Sequence, residues 1–295
     1  MPFTEINGKT IFYSWTPASR AGLTFYFIHG LGSSHSFWAP CIPGLVAAGF
    51  SCLAIDVPGF GQSPYHGKPH DLHEIADDCV AILLELGKSL DRTIIVGSSM
   101  AGIVCCEIAV KHQVAGVVSV GPICPGPETK EAFEHRVAVV KKGNFSDHSR
   151  IYIMSTALTG LLRPTDGLEG IVNTVDIPTR ATGSKATRTA EAFVRSLIQS
   201  SNTEAYISLA QAIADAPVPE YKQIKVPLLC VAGQEDQVAQ LEDLALIGDS
   251  WGAPSKTELE VLFGVGHWHC IEDAEGVEQC LKRFGKKVES KLPAY

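Results

Sequence analysis

Residues 93–102 read Thr-Ile-Ile-Val-Gly-Ser-Ser-Met-Ala-Gly. A β-branched run reaches a glycine, then a serine between small residues, then an apolar segment. The pattern predicts a strand, a turn too sharp for large side chains, and a helix, with Ser99 on the turn. A serine hydroxyl is a weak nucleophile until a base takes its proton and fixed donors meet the negative charge that develops. Two later segments carry residue types that supply a base and an acid: Gly233-Gln234-Glu235-Asp236 and Gly264-Val265-Gly266-His267-Trp268-His269.

The chemistry assigns roles. Ser99 attacks a carbonyl carbon, and His267 takes its proton and returns it to the leaving group. Asp236 fixes the imidazole tautomer and stabilises the imidazolium. The oxyanion needs backbone donors that do not have to reorganise. The amide of Met100, beside the nucleophile at a helix start, is one. The amide of Leu31, in His29-Gly30-Leu31-Gly32, is the other, and Gly30 lets that backbone approach the substrate. Trp268 is expected to line the pocket or to pack beneath a cap. Rivals stand beside these residues: Ser98 for the nucleophile, Glu235 or Glu128 for the acid, His269 for the base. His29 reads as a buttress of the oxyanion loop. The ten histidines lack metal-ligand spacing, so no metal is expected.

The elements that must position these groups are legible from periodicity. Strands are expected at Phe3–Ile6, Thr10–Trp15, Leu23–Ile28, Ser51–Ile55, Thr93–Val96, Val114–Val120, Val226–Ala232 and Glu258–Leu262. Asn7-Gly8 predicts a tight hairpin. Helices are expected over Pro40–Phe50, Asp71–Leu90 with Asp71 as N-cap, the segment after Ser99, Ala239–Ile247 and Glu272–Phe284. Alternation of strands and helices with short connections means βαβ units, and so a mostly parallel twisted sheet with helices on both faces. The three reactive loops follow strand tips, where open parallel sheets gather ligand sites.

The rhythm breaks after Gly121. Helical candidates follow at Glu131–Val140, Asp147–Leu162, Thr187–Gln199 and Thr203–Ala214. Residues 1–122 and 223–295 are read as the α/β core and 123–222 as a helical cap inserted into it. The cap carries Arg136, Arg150, Arg163, Arg180, Arg188 and Arg195. One could clamp a substrate carboxylate, with solvated surface charge the default for each.

Composition narrows the function classes. The chain has 295 residues, 45% hydrophobic, with a formal net charge of −8. That is ample for a large core, and it argues against nucleic-acid or anionic-membrane partners. No apolar run reaches the roughly 18 residues of a membrane span. Nine cysteines without a Cys-x-x-Cys pair read as reduced core thiols of a cytoplasmic protein. Without a secretion signal, the Asn144-Phe145-Ser146 acceptor triplet is taken as chance. Oligomeric state is not legible.

Five pieces carry a family resemblance: His29-Gly30-Leu31-Gly32, Asp56-Val57-Pro58-Gly59-Phe60-Gly61-Gln62-Ser63, Gly97-Ser98-Ser99-Met100-Ala101, Gly233-Gln234-Glu235-Asp236 and Gly264-Val265-Gly266-His267. In this order the chain resembles α/β-hydrolase fold proteins along nearly its whole length. It looks most like the 3-oxoadipate enol-lactonase and esterase branch, with a helical cap. The resemblance implies a hydrolase without cofactor, acting on a small ester or lactone. The elbow departs from the family pattern at Ala101, where glycine is usual, with Gly102 next. Carbon–carbon bond hydrolases of the meta-cleavage type also resemble this chain, though Leu31-Gly32-Ser33-Ser34 replaces their Gly-Pro-Gly element. A non-catalytic ligand receptor on the same fold is the remaining class.

Overall fold

The computed structural model describes residues 2–20, 22–142 and 181–293. Eight strands form one sheet: β1 (Phe3–Ile6), β2 (Lys9–Thr16), β3 (Thr24–Ile28), β4 (Ser51–Ile55), β5 (Thr93–Ser98), β6 (Gly116–Val120), β7 (Leu228–Gly233) and β8 (Thr257–Leu262). Their order across the sheet is β1-β2-β4-β3-β5-β6-β7-β8. The β1–β2 and β2–β4 pairings are antiparallel, and every pairing from β4 to β8 is parallel. At the hairpin Ile6 pairs with Lys9, and Asn7 and Gly8 hold φ of 51° and 76°. Both central residues are left-handed, as a two-residue turn matched to strand twist requires.

Every residue of β3, β5, β6 and β7 is buried. A strand buried on both sides must be covered on both sides, so these continuous apolar runs place helices over each face. Helices α1 (Ile42–Ala47), α2 (Leu72–Glu85) and α3 (Ala101–Lys111) lie in the first half of the chain. Helices α4 (Pro127–Lys142), α5 (Arg188–Gln199) and α6 (Thr203–Ala214) fall between β6 and β7. The last three are α7 (Leu241–Ser250), α8 (His269–Glu272) and α9 (Ala274–Glu289). α3 packs on α2, β5 and β6, while α9 packs on α1, β7 and β8. Gly285 of α9 allows the closest approach to the sheet, since a Cβ there would lie 2.8 Å from the ring of Phe25 on β3.

The sequence expectations match these elements with ends shifted by a few residues in either direction. The carboxylate of Asp71 caps α2 by accepting from the amide of His73, and the helix stops at Glu85, ahead of Gly87 at φ 62°. α1 is shorter than periodicity suggested, because Gly49 at φ 95° turns the chain into β4. Glu272 belongs to the short helix α8, and Asp273 caps a separate α9. Of the expected cap helices, α4, α5 and α6 are present, and α4 packs along α6. The expected helix over 147–162, the 144–146 triplet, Arg150, Arg163 and Arg180 lie outside the described residues.

Candidate active site

β5 ends at Ser98, and the chain turns into α3 through Ser99. The φ of Ser99 is 57°. For an L-residue this left-handed backbone costs roughly 1–2 kcal/mol, so the surrounding structure must hold it. It does so through the Ser99 amide, which donates to the Val120 carbonyl, and the Gly102 amide, which donates to the Ser99 carbonyl, both at 3.0 Å. Gly97 is obligatory: a Cβ there would lie 2.3 Å from the Ala101 carbonyl oxygen and 2.7 Å from Cys105 Sγ. On the other side of the turn the close approach falls at Gly102, where a Cβ would sit 3.0 Å from Pro122 Cβ. Ala101 itself fits, fully buried, as the first residue of α3.

His267 follows β8 and Asp236 follows β7, two neighbouring parallel strands whose ends align at Gly233 and Leu262. Nδ1 of His267 lies 2.9 Å from Oδ2 of Asp236 and 3.2 Å from Oδ1. Oδ1 also accepts from the amides of Val238 at 2.8 Å and Ala239 at 3.0 Å. Burial alone would raise the Asp236 carboxyl. The neighbouring His267, its hydrogen bond, His269 and the Ala239 amide outweigh burial and hold the carboxyl below its ordinary value. An ionised Asp236 accepts a hydrogen bond from Nδ1–H of His267, which fixes the tautomer and leaves Nε2 bare to act as a base.

The rival acids fall elsewhere, the rival base is buried beside Asp236, and Ser98 lines the same cavity as Ser99. Glu235 is exposed and accepts from the amide and hydroxyl of Ser184. Glu128 is exposed in the first turn of α4. His269 is fully buried, its Nδ1 donating to the His267 carbonyl at 3.0 Å. Its Nε2 is 3.9 Å from Asp236 Oδ2 and has no hydrogen bond, and burial pulls the ring down to about 4. His269 is therefore a neutral packing partner of the acid. His29 is also buried, with Nε2 accepting from the Val57 amide at 3.0 Å and Nδ1 donating to the Gly30 carbonyl at 2.8 Å. Both nitrogens are committed, one to the Gly30 carbonyl and one to the Val57 amide, so the histidine ties the Gly30 backbone to the loop after β4 as a buttress.

That backbone lies against Ser99. A Cβ on Gly30 would be 3.0 Å from Ser99 Cβ and 3.7 Å from its Oγ. The amides of Leu31 and Met100 donate to no acceptor among the described residues. Met100 stands at the start of α3, which has no side-chain cap, so the positive end of the helix faces the turn.

One cavity is lined by Gly30, Leu31, Ser98, Ser99, His267 and Trp268 from the core, with Phe133 and Arg136 from α4. Its volume is about 20 Å³, space for a single water, so ligand binding has to displace its walls. A larger groove of about 600 Å³ runs between α2, α3 and α6 but touches none of Ser99, Asp236 and His267.

The sequence reading did not single out Arg136 from the other cap arginines, and it missed the role of Glu272 altogether. Arg136 is 9% exposed, not the solvated charge expected of it. The signal was its place in Phe133-x-x-Arg136-Val137-x-x-Val140, a helical apolar face whose other members are all buried. Glu272 accepts from the amides of Gly183 at 2.6 Å, Gly266 at 2.8 Å and Trp268 at 2.8 Å. It clamps the His267 loop to the segment before α5, and the His267 amide donates to the Ala181 carbonyl at 2.8 Å.

The model of the alpha/beta hydrolase family matches residues 25–279. The chain belongs to that family. The AB hydrolase superfamily protein YisY of Bacillus subtilis is 29% identical over 96 residues, covering 32% of this chain and 35% of that protein. The chain spans between 20% and 60% of the length of curated relatives such as these. An esterase from Thermogutta terrifontis superposes with a TM-score of 0.79 at 19% identity, over 98% of each chain. The enol-lactonase from Burkholderia xenovorans superposes with a TM-score of 0.75 at 20% identity, over 96% of this chain and 99% of that one. At such identities the likeness carries the fold. Among the described residues, no helix is long and apolar enough to cross a membrane and no cluster is suited to a metal ion.

Proposed function

We propose that this chain is a serine hydrolase that cleaves a small carboxylic ester or lactone through an acyl-enzyme on Ser99. The observation that carries the reading is the strained Ser99 turn sharing a cavity with His267, whose other nitrogen is held by the buried Asp236.

His267 Nε2 takes the Ser99 proton as Oγ bonds to the carbonyl carbon. The oxyanion is met by the Leu31 and Met100 amides, each worth about 2.7–4 kcal/mol to the transition state. Collapse expels the alkoxide, which takes the proton from His267; in a lactone the alkoxide stays tethered to the acyl group. Water then attacks the acyl-enzyme, giving its proton to His267, which returns a proton to Ser99 as the acid leaves. The chemistry draws on no group outside the chain except water. The nine free cysteines suit a reducing compartment such as the cytoplasm.

A panel of 4-nitrophenyl esters and lactones tests the reading. Hydrolysis that disappears in Ser99→Ala, in a protein that still melts cooperatively, supports it; unchanged hydrolysis in that variant rejects it.

A further inference from the structure

Arg136 projects from α4 into the cavity that holds Ser99 and His267, and it has no carboxylate partner and no hydrogen bond among the described residues. The Phe133 ring covers one face of the guanidinium, with Cζ 4.4 Å from the ring centre. Stacking of this kind offsets part of the desolvation and leaves the in-plane N–H donors unused. A buried cation is expensive unless it is paired, and burial pulls Arg136 below its ordinary range.

The neighbourhood is short of partners in the same way. The hydroxyl of Tyr206 on α6, Oγ of Ser33 and Nε1 of Trp268 are all buried without a hydrogen bond. Ser33 and Trp268 line the cavity, and Tyr206 interacts electrostatically with Arg136. Buried polar groups are nearly always satisfied, so a cluster of unsatisfied donors around a cation with no partner among the described residues marks a place for an acceptor-rich anion. The guanidinium fork matches a carboxylate, which accepts two parallel N–H bonds.

We propose that Arg136 anchors a carboxylate of the substrate, so that the class cleaved is an ester or lactone that itself carries a carboxylate near the scissile carbonyl. This rests on the Ser99 hydrolase reading. Arg136 acts in binding and specificity, not in the bond-breaking step.

The test compares 4-nitrophenyl hydrogen succinate, glutarate and adipate with their methyl esters, corrected for spontaneous hydrolysis. Wild-type protein is expected to favour the free acid at least tenfold in kcat/KM for one chain length. Arg136→Gln should bring that ratio close to one, mainly by raising KM for the acid. Arg136→Lys should keep an intermediate ratio, and Arg283→Gln, which breaks a surface pair with Glu260, should leave it unchanged. A wild-type ratio near one, or a preference that survives Arg136→Gln, overturns the proposal while the hydrolase reading stands. The wild-type ratio decides even where Arg136 variants fail to fold. Calorimetry with glutarate on Ser99→Ala separates the two readings. Binding that Arg136→Gln removes, in a protein that hydrolyses no ester, keeps the anion site and rejects the hydrolase. Neither binding nor hydrolysis rejects both.

Discussion

Oδ2 of Asp236 and Nδ1 of His267 lie 2.9 Å apart, and the carboxylate side chain is wholly buried beneath the ring. The pair bridges loops after two adjacent parallel strands, and the Val238 and Ala239 amides hold the carboxylate from behind. Such a carboxylate aligns the imidazole and stabilises its cation during turnover. Asp236→Asn is expected to lower kcat by about 10³–10⁴. Glu235→Gln, at an exposed position bonded to Ser184, should stay within about twofold. Steady-state kinetics of the two variants check the ranking, and the reverse order would move the acid to Glu235.

The elbow strain gives a stability prediction. Ser99 holds φ 57°, which glycine adopts freely and alanine does not. Both Ser99→Ala and Ser99→Gly should be inactive. The glycine variant should be the more stable by about 1 kcal/mol, read from chemical denaturation midpoints. A less stable glycine variant would contradict the strained turn.

Gly97→Ala tests the same turn from the strand side. The added methyl group meets backbone of Ala101 at 2.3 Å, and backbone cannot yield as a flexible side chain does. A loss of about 2 kcal/mol or more, with loss of activity, is expected. Ala101→Gly should change stability by about 1 kcal/mol at most.

Acid should weaken the fold as the pH falls below the ordinary histidine range. Burial lowers His269 to about 4 and also lowers His29 and His70 from the ordinary 6.5. For His269, below 6.5 and down to about 4 the unfolded chain binds a proton that the folded chain refuses. Stability therefore rises with pH across that window, by up to about 1.4 kcal/mol per pH unit for each such ring. Melting temperature is expected to fall from pH 7 to pH 4.5, and His269→Gln should show a shallower fall. An equal slope would mean that His269 does not remain neutral in the fold.

Much of the core was legible because local signals agreed. Thr93–Val96 and Val226–Ala232 are apolar enough to be buried on both faces, and Asn7-Gly8, Asp71 and Gly97 each carry a conformational demand that few other residues meet. The Ser-Asp-His order then followed from where parallel strands end. What was not legible depends on tertiary contact. Arg136 is one charge among several between β6 and β7, and only the docking of α4 over Ser99 buries it. Glu272 is an ordinary acidic residue until Gly183, Gly266 and Trp268 bring their amides to it. The satisfied or bare state of the Leu31 and Met100 amides is likewise a property of the assembled turn.

Whether Ser99 is an activated nucleophile is read by intact and peptide mass spectrometry after treatment with a fluorophosphonate. An activated serine displaces fluoride and gains one phosphonyl group. One adduct per chain is expected, mapped to Ser99, absent in Ser99→Ala and strongly slowed in Asp236→Asn. No adduct on folded protein, or an adduct at Ser98, would contradict it.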